Sequence, residues 1–275
     1  MATILTYDGR PLDIGKAVSF IGKRTKTWTG LYPQGRYVWQ VGDHVYYSNG
    51  DTQYELNVDT STWTAKTWNI SIGFYGNCVW TDGTDTYLSH GTYQYVFDPI
   101  KVKWIGKRWN GLSSITGWYI WKYGNAIYYS DAANQYELDV STSTWSAKTW
   151  TGLTSFDGRD VWSDKFGRKY YSKASAQYAL TVNSWSTKSW SGVNSYYGRY
   201  VWEHDGYIYL CDTDGHQKVL NSDSTKWIST NFGISQMAGD NVWELNGKTY
   251  YSNSYGTQYE LLFIDKDAYN FISYT

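Results

Sequence analysis

Apolar and polar residues alternate along most of this chain in short runs, and clusters of Gly, Asn, Asp and Ser punctuate the runs. The stretch from Gly117 to Trp150 shows the pattern once through. Trp118–Trp121 reads as a strand, Lys122–Asn125 as a turn, and Ala126–Ser130 as a second strand. Asp131–Asn134 is a polar loop, Gln135–Val140 a third strand, Ser141–Thr144 a turn and Trp145–Trp150 a fourth strand. Aromatic and β-branched residues favour the pleated conformation, whereas Gly, Asn, Asp and Ser supply turns. Val38 and Trp39 are adjacent and both apolar, so that strand must be covered on both faces.

The unit recurs. Trp39, Trp80, Trp121, Trp162, Trp202 and Trp243 lie 41, 41, 41, 40 and 41 residues apart. A second column runs Trp28, Trp68, Trp109, Trp150, Trp190 and Phe232, and a third Trp63, Trp104, Trp145, Trp185, Trp227 and Tyr269. Of the 17 tryptophans, only Trp118 stands outside these columns. Four antiparallel strands in roughly 40 residues, repeated six times, predict an all-β, six-bladed β-propeller of four-stranded antiparallel blades. An open stack would need polar end caps, which neither terminal copy shows, so the ring is expected to close. Each buried Trp withdraws roughly 150–250 Å² from water, about 4–6 kcal/mol at about 25 cal/mol per Å² as an upper bound.

Composition narrows the functions. Twenty-four basic against 25 acidic residues, without clustering, give no electrostatic footprint for nucleic acid or anionic membranes. The opening residues lack a basic and an apolar signal-peptide region, and no later stretch reaches transmembrane length, so export and membrane insertion are not expected. Cys78 and Cys211 fall in different columns and read as small buried hydrophobes rather than a disulfide or metal pair. No cofactor or metal is expected.

Val96-Phe-Asp-Pro-Ile-Lys-Val-Lys-Trp104 resembles the Kelch repeat, with aromatic-Asp-Pro followed by Trp seven residues after the aromatic. Leu138–Trp145 keeps the spacing, although Tyr-Tyr-Ser stands where Kelch repeats carry paired glycines. The resemblance implies a propeller and little about activity. The phrase Thr151-Gly-Leu to Gly158, with Tyr-Tyr-Ser and Gln-Tyr-x-Leu, is similar to propeller repeats of phage and prophage tail proteins. The opening Thr6-Tyr-Asp-Gly-Arg-Pro-Leu is similar to the start of such proteins. This second resemblance implies a virion protein made in a host cytoplasm.

Residues 26–275 fill six copies, with Tyr269 in the third column and Ile272–Thr275 able to finish the last strand, so residues 1–25 are surplus. Asp8-Gly9 predicts a hairpin turn and Ala17–Ile21 a strand. That segment reads either as an arm docking the ring to other virion or tail proteins, or as a closing strand added to a terminal blade.

Blade-joining loops and the loops between second and third strands emerge on one face. The former carry Tyr32, Phe74, Tyr75, Ile115, Phe156, Tyr196, Tyr197 and Met237, and the latter include Asp131, Asp214 and His216. Aromatics among carboxylates suit sugar recognition, so Trp118, Tyr32, Phe74, Phe156, Tyr196, Tyr197, Asp131 and Asp214 are the candidate ligand-binding residues, with cell-surface polysaccharide the candidate ligand. The alternative is that the loop aromatics plug the blade rims. Trp118 breaks a position held by Arg36, Arg159 and Arg199 elsewhere. Gln53, Gln94, Gln135, Gln177, Gln217 and Gln258 recur in every copy and are expected to bond backbone, six equivalent ligand sites being the alternative.

Catalysis finds little support. The four histidines occupy unrelated columns, and no hydrolase or phosphate-binding motif is present. Asp59–Trp63 is similar to the Asp-box of sialidases but lacks its glycine, and the cysteines offer no cluster like that of Kelch-fold copper oxidases. Glu203 and Glu244, on neighbouring inner strands facing the channel, are one example of a glycosidase-type carboxylate pair, although ordinary solvated channel residues explain those positions. The expectation is a non-catalytic virion propeller, of a phage tail, baseplate or related particle, that binds a host glycan or a partner protein through one loop face. A structural subunit, a cytoplasmic lectin or adaptor, and a glycan-cleaving enzyme are the alternatives.

Overall fold

The structure, a computed structural model, describes residues 6–7, 10–11, 21–253 and 255–263. Six antiparallel four-stranded sheets follow one another around an axis. Blade three shows the plan: Ile120–Tyr123, Ala126–Asp131, Asn134–Asp139 and Thr144–Ala147 pair in sequence order. The inner strand begins two residues later than the alternation predicts, because Gly117–Tyr119 forms a single 3-10 turn ahead of it.

Six such turns, at Gly35–Tyr37, Gly76–Cys78, Gly117–Tyr119, Gly158–Asp160, Gly198–Tyr200 and Gly239–Asn241, stand at the heads of the inner strands and pack each on the next. Each begins with glycine because its α-carbon lies against a backbone carbonyl of the preceding turn. A Cβ at Gly198 would sit 1.9 Å from the Asp160 oxygen, and one at Gly35 would sit 1.9 Å from that of Asn241. The second contact joins the sixth turn to the first, so the ring is closed.

The last blade is completed from the other end of the chain. Val242–Leu245, Lys248–Ser252 and Gln258–Phe263 are followed in the sheet by Ile21–Thr25, paired antiparallel with Tyr259 opposite Thr25 and Phe263 opposite Ile21. The Arg24 guanidinium donates to both Glu260 carboxylate oxygens at 2.7–3.0 Å. Residues 21–25, expected in the surplus segment, are thus the closing strand; of the strand expected at Ala17–Ile21, Ile21 belongs to it and residues 17–20 lie outside the described residues. Ile272–Thr275, the expected fourth strand, and Tyr269 lie outside the described residues. In the third column it is Lys23 that occupies the sixth place, opposite Leu261 as Trp63 is opposite Leu56, and its ammonium bonds the Gly233 carbonyl. The expected hairpin is present, with Thr6 opposite Pro11 and Tyr7 opposite Arg10.

Tryptophans fill the seams between blades. Trp121 packs on Trp150 and Trp185 with ring centroids 5.5 and 6.0 Å apart, and equivalent clusters surround Trp39, Trp80, Trp162 and Trp243. The inner-column indole N–H donates to a fully buried serine hydroxyl in five blades, from Trp39, Trp80, Trp121, Trp162 and Trp243 to Ser48, Ser89, Ser130, Ser172 and Ser252, at 2.8–3.2 Å. In blade five Cys211 stands in the serine's place. Both cysteines are buried and free, and burial pushes their thiols up to about 11 for Cys78 and about 12 for Cys211. The recurrent glutamines serve the backbone, as expected: Gln53, Gln94, Gln135 and Gln177 donate to carbonyls of the adjoining loops, and Gln217 bridges Ile234 O and Phe232 N.

Candidate functional site

The 3-10 turns place one side chain per blade around the top of the axis, three residues before each inner-column Trp. In ring order these are Arg36, Asn77, Trp118, Arg159, Arg199 and Asp240. All six line one open cavity of about 450 Å³ at the axial mouth, whose wall continues down the inner strands through Val161, Ser163, Val201 and Glu203. A second hollow of about 570 Å³ runs down blades one and two and shares Arg36 and Asn77. Because the inner strand descends from this turn, the mouth opens on the face that carries the blade-joining loops.

The mouth is charged and partly dry. Asp160 is fully buried beneath it, and its Oδ1 accepts the Arg199 backbone N–H and guanidinium, both at 3.3 Å, while Arg159 Nε lies 3.8 Å from Oδ2. Burial holds the Asp160 carboxyl above the usual carboxylate range although both arginines pull it down. Asp240, 3.6 Å from the Arg36 guanidinium, is likewise raised by burial against the pull of Arg36 and Arg199. Three guanidiniums therefore face two carboxylates that are reluctant to ionise. Neighbouring Asp157 also lies 3.8 Å from the Arg159 guanidinium, but its closer partner is Lys173 at 2.6 Å.

Aromatic surface adjoins this charge. Trp118 is half-buried, with the Arg159 guanidinium carbon 5.4 Å from its ring centroid. The Arg199 guanidinium lies 4.2 Å over Tyr197. Such stacked guanidiniums keep their in-plane N–H donors free for an anion.

The expected site residues divide. Trp118 lines the cavity and Tyr197 flanks it. Tyr32, 63% exposed, stands on a blade-joining loop but does not line the cavity, nor do Asp131 and Asp214. Asp131 accepts the Tyr129 hydroxyl at 3.3 Å, and Asp214 sits in the loop organised by Asp212.

Phe74, Phe156 and Tyr196 are not available to a ligand. They are at most 2% exposed and pack on Trp104, Trp185 and Trp227 at centroid distances of 5.9, 5.2 and 5.6 Å. Phe74–Tyr75 and Tyr196–Tyr197 form two-residue strands against the end of their blade's second strand, so alternation turns the first residue in and the second out. Ile115 and Met237 are buried in the same way. The loop aromatics at these positions plug the rims.

Sequence reasoning placed Arg36, Arg159 and Arg199 at the strand mouths without choosing them, and passed over Asn77 and Asp240. The signal was the fixed offset of three before the column Trp, preceded by the recurring glycine. At the far end of the axis, Glu203 and Glu244 are engaged locally. Glu203 accepts the Gly206 N–H at 2.6 Å, and Glu244 meets His204 at 3.1 Å and the Thr249 hydroxyl at 3.2 Å.

No family model matches the chain, and no curated protein matches it in sequence. Solved structures do resemble it. The extracellular domain of the hybrid two-component system BT3049 of B. thetaiotaomicron aligns over 82% of this chain at 8% identity and a TM-score of 0.50. That of the one-component system BT4673 from the same organism aligns over 82% at 10% identity and 0.54. The chain spans about a third of the length of each of these proteins, at 33% and 32%. The structure of YjhT aligns over 88% of this chain and 97% of its own, at 10% identity and a TM-score of 0.58. At these identities the likeness shows the fold alone.

Proposed function

We propose that this chain is a recognition module that works without covalent chemistry. It presents the face bearing the axial mouth to a surface glycan or a partner protein, as part of a phage tail or related particle to which residues before the closing strand attach it. One observation carries the reading. In the six mouth turns the glycine repeats without exception, as does the Val or Ile heading the inner strand, whereas the first of the two side chains between them runs Arg, Asn, Trp, Arg, Arg, Asp. Packing dictates what is the same in every blade; the second of the two, Tyr, Cys, Tyr, Asp, Tyr and Asn, also varies but does not line the open cavity, whereas the first lines it in all six blades.

The Kelch-like spacing of Val96–Trp104 supports the propeller type. The Thr151–Gly158 phrase and the opening segment support the particle context. Propellers of this architecture also form extracellular domains of bacterial sensors, which accords with a fold displayed to the surroundings.

The test is binding of purified protein to host cells and to extracted wall polysaccharide. Trp118→Ala is expected to weaken binding at least tenfold without lowering the melting temperature. Phe166→Ser, on an exposed turn of the opposite face, is expected to leave binding intact. Equal losses in the two variants, or no binding to any surface or partner fraction, would contradict the proposal.

A further inference from the structure

The ring of mouth residues is asymmetric in a way that selects a ligand chemistry; this step rests on the recognition reading above. Going round the axis, Arg36 and Asp240 are neighbours 3.6 Å apart and largely answer each other. Arg159 and Arg199 are also neighbours and share Asp160, at 3.8 and 3.3 Å, while the other carboxylate near Arg159, Asp157 at 3.8 Å, is already held by Lys173 at 2.6 Å, so three cations meet two carboxylates. Two guanidiniums carry ten N–H donors between them, and Asp160 takes up few of these. That side of the cavity is short of one anion. Next to it stands Trp118 with part of its ring surface open, and beyond that the Asn77 amide, able both to donate and to accept.

We infer that the mouth binds an acidic saccharide, its carboxylate or phosphate held between Arg159 and Arg199 and its sugar ring lying against Trp118. Planar guanidiniums match both oxyanions in bidentate fashion, which a lone ammonium would not. An indole face covers the C–H face of a pyranose, and an amide beside it answers hydroxyls of either sense. The cavity, at about 450 Å³, falls within the range of roughly 300–1,000 Å³ for small-molecule sites.

Calorimetric titration of the full chain with glucuronate, glucose 6-phosphate and glucose tests this. The acids are expected to bind at least tenfold more tightly than glucose, and the ranking of the two acids tells carboxylate from phosphate recognition. Arg159→Gln should remove that preference. So should Asn77→Asp, which adds a carboxylate to the mouth where the wild-type side chain accepts only a long contact from the Cys78 thiol at 3.8 Å. Asn77→Asp therefore keeps the test informative if Arg159→Gln fails to fold. Glucose binding as well as glucuronate, or folded variants that keep the wild-type preference, would overturn the inference. If a neutral glycan binds and Trp118→Ala abolishes it, the recognition reading stands and the anion inference falls. A folded protein that binds no saccharide of either kind defeats the inference outright.

Discussion

Replacing Gly198 by alanine probes the closed inner ring directly. The added Cβ would lie 1.9 Å from the Asp160 carbonyl oxygen and 2.5 Å from its carbon, whereas ordinary contact begins at 3.4 Å. The obstructing atoms are backbone, held by the next turn of a closed ring, so they have no rotamer into which to move. About 1.5 Å, the difference of 3.4 and 1.9, must open between two turns that are each packed on both sides. Overpacking of this kind costs about 1–3 kcal/mol, and the upper end applies where backbone must shift. At roughly 2–4 °C per kcal/mol for a chain of this size, the melting temperature is expected to fall by about 6–12 °C. Gly106→Ala is the control: it is exposed, without positive φ, and a Cβ there meets nothing within 4 Å. It should stay within about 2 °C of wild type. Differential scanning calorimetry reads both. A Gly198→Ala protein that melts with the control would refute the argument that these glycines are required by the approach of neighbouring turns.

Three further outcomes follow from particular contacts. Ser130→Ala leaves the buried Trp121 indole N–H without the acceptor it has at 2.8 Å and should cost about 1–3 kcal/mol in urea unfolding, whereas Ser130→Cys, which copies blade five, should cost less; equal costs would remove the indole bond from the account. A chain beginning at residue 21 should keep a single cooperative melt, whereas one beginning at residue 26 loses the fourth strand of blade six and should melt earlier or in two steps; identical melts would contradict the closing role of Ile21–Thr25. Burial raises the Asp160 carboxyl, so the folded state takes up this proton before the unfolded chain as pH falls. The group's contribution is therefore fully present below the ordinary carboxylate value and lost as pH rises through the folded-state value, and the stability of wild type minus that of Asp160→Asn should decrease with rising pH above about 4. Urea unfolding across that range checks the sign, and a difference that grows with pH would reverse it.

The fold was legible because its seams are made of the least ambiguous residue. A tryptophan recurring at 41 residues between strand-forming runs leaves few architectures open, and the recurrent glutamines and buried cysteines could be read from the same register. The closing strand was not. Ile21–Thr25 carries Lys23 where five other blades carry Trp, and Tyr269, aromatic and near the right spacing, drew the column to the wrong end of the chain. Phe74, Phe156 and Tyr196 were misread for a different reason. The rim strands holding two of them are two residues long, too short for alternation to show which neighbour turns inward. The site was half visible: Trp118 stands out as an exception, but seeing the full ring of Arg36, Asn77, Trp118, Arg159, Arg199 and Asp240 requires knowing that the preceding glycine lets each turn pack on the next around one axis.

The most direct measurement is a crystal structure of the protein soaked with glucuronate. The expected result is density at the axial mouth, with the carboxylate between Arg159 and Arg199 and the pyranose ring against Trp118. Density confined to a blade rim or to the opposite end of the axis, with the mouth holding only solvent, would contradict it.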